Sequence, residues 1–148
     1  MRDNPTSQHR AEVIERAINV EWLMGAVICQ HYFKRLPAPF LFEVLYDEYF
    51  SFALKRRIIE KIAGAESAQI QALNRLNTIR NHFAHCSQEV ARTSSPTEFF
   101  VPDPRNPDKP LDFEALYQEF MRLVSGVEEF LGTTFREKGG QLLAEPPK

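Results

Sequence analysis

Apolar residues recur at three- and four-residue steps along most of this chain. From His9 onward, Val13, Ile14, Ala17, Ile18, Trp22, Met24 and Val27 follow that spacing, which predicts a helix. The pattern runs on through Cys29, Tyr32 and Phe33 and stops at Leu36-Pro37-Ala38-Pro39, where proline removes an amide donor and crowds the preceding turn. A second apolar stretch from Phe40 to Tyr49 passes into Ser51–Ala63 with a break near Phe50, and Gly64 supplies a stop. Ser67 is placed to cap a further helix from Ala68 to about Cys86.

The segment 87–110 changes character. Ser94, Ser95, Pro96, Pro102, Pro104, Pro107 and Pro110 make it a proline-rich loop too long for a simple connector. Within it, Thr97-Glu-Phe-Phe-Val reads as a short strand or an extended segment docked on the body of the protein. Asp112 then opens a last helix with Phe113, Leu116, Phe120, Leu123, Val124, Val127, Phe130 and Leu131 on one face. Four or five helices and no convincing sheet predict an all-α bundle. The expected organisation is a frayed 1–8, one helical domain over 9–135, and a flexible tail over 136–148.

Composition narrows the function. Acids outnumber bases, 20 to 18, so nucleic-acid contact has to come from a local basic patch and not from overall charge. Cys29 and Cys86 are isolated thiols without CxxC spacing, which suits a reducing cytoplasm. No apolar leader opens the chain, and the Trp22–Cys29 run is too short to span a bilayer; the expectation is a cytoplasmic protein with no membrane partner.

The helix over 70–86 has two contrasting faces. At about 100° per residue, Ala72, Leu76, Ile79 and Phe83 gather into an apolar arc. Opposite lie Asn74, Asn77, Thr78, Asn81 and His85. Asparagine disfavours helix by roughly half a kcal/mol relative to alanine, so a face rich in amides and imidazole but poor in charge suits a symmetric interface or a ligand cleft better than plain solvation. Arg80 sits on the shoulder of the apolar arc and needs an acceptor, either a carboxylate or a phosphate.

The run Leu76-Asn-Thr-Ile-Arg80-Asn81-His82-Phe83-Ala84-His85 resembles the R-polar-x-x-x-H motif helix of the HEPN superfamily (higher eukaryotes and prokaryotes nucleotide-binding). The resemblance is close over residues 76–85 and loose over the rest, and the proline-rich loop does not map onto it. It implies one of two functions. Many members are metal-independent endoribonucleases, toxins or defence effectors in which two motif helices meet across a homodimer. In that case His85 would move a proton at the ribose 2′-OH or the leaving oxygen. Arg80 would stabilise charge on the phosphate, and Asn81 would orient phosphate or imidazole. Arg75, Asn77 and His82 would contact RNA, an inhibitory antitoxin would hold the activity in check, and no cofactor would be needed. Other members, resembling the mannitol operon repressor family, are regulatory or interaction modules. There Arg80 would pair with Asp47, Glu48 or Glu60, and His85 would bond within the bundle.

Other residues carry weaker chemistry. His82, His85 and Cys86 would need Cys29 and His31 to complete a zinc site, so no metal is expected. Lys55-Arg56-Arg57 with Lys61 forms the dense basic cluster, read as an exposed helix face with Leu54, Ile58 and Ile59 turned inward. If RNA binds, this cluster and Arg75 are the first choices for phosphate contact. Trp22 and Cys29 are read as core residues.

Overall fold

The computed structural model describes residues 5–47, 49–64, 68–85 and 102–140. Ser67 as a cap, Cys86, Glu48 and the Thr97–Val101 segment lie outside them. The fold is an all-α helical bundle. Helix α1 is Pro5–Phe33 and α2 is Ala38–Phe40, which runs into a π-helical turn, Leu41–Leu45. Helix α3 is Phe52–Ala63, α4 is Ala68–His85, and α5 is Phe113–Glu137. Helix α1 is central: it packs on α5, α3 and α4, and α4 also packs on α5 and α3.

The stops and starts follow local chemistry. Lys34 takes a left-handed conformation (φ 56°) at the end of α1 and donates its N–H to Gln30 O at 3.0 Å. Ser51 caps α3 by accepting from Leu54 N, and Gly64 (φ 98°) ends it. Asp112 caps α5 by accepting from Ala115 N. Gly25 lets the π turn lie against α1, since a Cβ there would stand 3.1 Å from Leu41 Cδ1.

The core joins Val13, Val20, Met24, Val27 and Cys29 of α1 to Ile59 of α3. It continues through Leu73, Leu76, Ile79 and Phe83 of α4 to Phe113, Phe120, Val124, Val127 and Leu131 of α5. Cys29 is buried, as its read-out as a small core residue required.

Several expectations need correction. Helix α1 starts at Pro5, before His9, and α5 continues to Glu137, past 135. The end of the proline-rich loop is a small antiparallel hairpin, β1 (Pro102–Asp103) and β2 (Asn106–Pro110), closed by Arg105 N donating to Asp103 Oδ1. Trp22 is 43% exposed and not core: it lies beside Phe42 of the π turn and stacks on Tyr46, and Ile18, one turn earlier on α1, is exposed as well. Leu54 is exposed, whereas Lys55 is buried in its place. The inward row of α3 is Phe52, Lys55, Ile59 and Ile62, at steps of three and four, and the lysine occupies a position that periodicity assigns to the core.

Candidate functional site

Helix α4 presents its two faces as the wheel predicts. Ile70, Leu73, Leu76, Ile79 and Phe83 are buried; Asn74, Thr78 and His85 are exposed, with Asn77, Arg80 and Asn81 between. The row Asn77, Asn81, His85 advances one turn at a time. Arg80 lies about 140° round the helix from His85, so one chain cannot aim both into the same spot.

Arg80 is held from α1. Its Nη2 donates to Glu21 Oε1 at 3.2 Å and its Nη1 to Asn81 Oδ1 at 3.0 Å, while its side chain remains 33% exposed. The carboxylate that takes it is Glu21, and not Asp47 or Glu60; Glu48 lies outside the described residues. Glu60 takes Arg56 at 3.0 Å, and Asp47 Oδ1 accepts the Tyr49 N–H at 2.9 Å. Glu21 follows Ala17 and Val20 on α1, at the border of the buried stripe, where a carboxylate needs a cation.

It has two. Lys55, 2% exposed, donates from Nζ to Glu21 Oε2 at 3.0 Å and stands 5.3 Å over the Tyr46 ring. One carboxylate between two cations leaves a residual positive charge in the triad, opposed by Asp47 across the cleft. Tyr46 stacks flat on Trp22 at 5.6 Å between centroids. Its hydroxyl is buried without a partner, and burial, with Glu21 and Cys29 nearby, pushes the phenol up to about 12, so it stays neutral.

These residues wall a cleft of about 400 Å³ whose polar lining is Glu21, Asp47, Ser51, Lys55, Asn77, Arg80 and Asn81. The first turn of α3 closes one side through Phe52 and Ala53, whose N–H groups have no carbonyl within the helix to bond. An anionic group entering here would meet a guanidinium, two amides and a helix N-terminus.

The expected site residues divide into three groups. Arg80, Asn81 and Asn77 share the cleft. His85 ends α4, exposed, outside the cleft lining and with no hydrogen bond or ion pair among the described residues. Arg75 and His82 lie on the other side of α4. Arg75 Nε bonds Glu119 at 2.6 Å, and Arg105 shares the same carboxylate at 3.2 Å. His82 is half-buried with Nε2 unpartnered; burial, then the charge of Arg75, lowers its pKa against the opposing pull of Asp103. Glu21 and Tyr46 were not singled out in the sequence, and Lys55 was expected in an exposed basic cluster but is buried; charged residues in the inward rows of α1 and α3 were a usable signal.

Among the described residues no group of three or more His, Cys, Asp or Glu is placed to hold a metal, and no helix is long and apolar enough to cross a membrane. No family model, curated protein or solved structure matches the chain.

Proposed function

We propose that this chain is a metal-independent endoribonuclease that works as a homodimer, as the HEPN resemblance of Arg80-Asn81-His82-Phe83-Ala84-His85 implies. The observation that supports it most is the state of the two motif side chains. Arg80 is braced by Glu21 at one edge yet remains exposed at a cleft, and His85 stands exposed at the end of the same helix. A preset guanidinium costs little reorganisation when charge develops on a phosphate, and an imidazole can both take and return a proton. The 140° between them is the reason for a dimer: a second copy packed on the Asn77–Asn81–His85 row would bring its own imidazole toward the first copy's cleft. In-line attack by the 2′-OH would leave a 2′,3′-cyclic phosphate and a 5′-OH. Such an enzyme belongs in the cytoplasm under the control of an inhibitory protein.

A second reading also has an observation behind it. Both terminal nitrogens of Arg80 already have internal acceptors, Glu21 and Asn81, as a purely structural arginine would. In that reading the chain is a non-catalytic regulatory or interaction module resembling the mannitol operon repressor family.

One experiment separates the two: RNA incubated in EDTA with wild type, Arg80→Ala and His85→Ala, with product ends identified. The ribonuclease predicts cleavage in EDTA that falls by roughly 10²–10⁴ in either variant. Cleavage that survives both substitutions rules out the assignment, and no cleavage by any form favours the module.

A further inference from the structure

Helix α3 connects the Arg80 cleft to a second concavity. This groove, about 490 Å³ and open to solvent, is lined by Arg56, Arg57, Glu60, Lys61 and Gly64. The cleft takes Phe52 and Ala53 from the same helix. Phe52, Arg56 and Glu60 form one row at four-residue steps; Ala53, Arg57 and Lys61 form the next. The two concavities therefore follow one another along one side of α3, each step advancing about 6 Å. That advance is comparable with the spacing of successive phosphates along an extended strand.

The groove has cations to spare. Among the described residues its carboxylate is Glu60, which is taken by Arg56 Nη1 at 3.0 Å. Arg56 Nε is buried, with no acceptor among the described residues. Arg57 and Lys61 are exposed and form no ion pair among the described residues. Lys55, which the sequence places in the same basic cluster, has left it for Glu21. The scarcity of positive charge over the whole chain makes this local excess more telling.

We infer that α3 carries a phosphate track for single-stranded RNA, in which Arg57 and Lys61 hold the backbone phosphates next to the one that enters the Arg80 cleft. The inference rests on the ribonuclease reading for the identity of the ligand. The contacts are to backbone only, so the track is blind to sequence and sensitive to salt.

The test is the affinity of full-length protein for a labelled 2′-O-methyl oligouridine, which has no free 2′-OH to cleave, measured over a salt series. Wild type is compared with Arg57→Gln/Lys61→Gln, and circular dichroism confirms that the variant folds. Two lost phosphate contacts should weaken binding about tenfold or more at low salt and flatten the log–log salt slope by about 1.4. Wild-type binding that the double variant reproduces in strength and slope overturns the track and leaves the ribonuclease reading standing. Polyglutamate competing as well as the oligonucleotide at equal charge overturns RNA as the occupant. Loss of binding in the variant, together with RNA cleavage indifferent to Arg80 and His85, keeps the track and removes the ribonuclease.

Discussion

At the scale of single residues, Glu21 carries the most consequence. Removing it would strand the buried Lys55 ammonium, and an uncompensated buried charge is among the costliest defects a fold can hold. Glu21→Ala should therefore lower stability in urea by about 3 kcal/mol, whereas Lys55→Met, which leaves Glu21 with Arg80, should cost less than about 1 kcal/mol. Combining Glu21→Met with Lys55→Met should recover most of the loss; additive losses would show that the pair is not coupled. Two histidines set a pH limit. Burial lowers His31, helped by Lys138 and Lys34, and burial lowers His82, helped by Arg75. A histidine lowered in the folded state resists protonation there but not when unfolded. Its contribution is complete above the ordinary value of 6.5 and is lost as pH falls below it. Stability measured by denaturant across that range should decline toward acid, and His82→Phe should flatten the decline. Cys29 and the apolar arc of α4 were legible in the sequence because periodicity reports burial directly. Lys55 and Trp22 were misread because residue type was weighed above position: the lysine sits in the inward row of α3, and the tryptophan sits on α1 beside the exposed Ile18.

At the scale of elements, the boundaries that were legible are those with a chemical mark. Ser51 and Asp112 begin α3 and α5 and Gly64 closes α3, whereas α1 stops at Phe33, short of the expected proline stop, and Pro37 and Pro39 stand at the start of α2. The π turn at Leu41–Leu45 carries no such mark; it exists because α1 leaves room for it at Gly25. Gly25→Val should push Leu41 and Leu45 away and cost roughly 1–3 kcal/mol by overpacking, read as a fall in the urea midpoint. The same change should disturb the Trp22–Tyr46 stack, since Tyr46 follows the turn, and should alter tryptophan fluorescence. An unchanged midpoint and spectrum would show that the turn is not seated through Gly25. The Arg80 partner was illegible for a related reason. A wheel gives the direction of a side chain on its own helix, and Glu21 lies 59 positions earlier, on another one.

At the scale of the whole molecule, the bundle was readable from helical periodicity alone, but assembly was not, because one chain's pattern does not reveal what covers its polar stripe. Mixing offers a direct reading. If each active centre takes Arg80 from one copy and His85 from the other, Arg80→Ala and His85→Ala proteins, inactive apart, should regain up to about a quarter of wild-type activity when allowed to exchange, half the dimers being mixed and half their centres intact. No recovery in a sample shown to exchange subunits would place both groups in one chain's centre or in none. The buried lysine bears on this as well. With Lys55 fixed to its second oxygen, Glu21 is held where it braces Arg80, whose side chain is still a third exposed at the cleft. The buried ammonium is a resident counterweight: if Arg80 captures a phosphate as proposed, part of the strength of that grip is set behind it, at the far oxygen of Glu21.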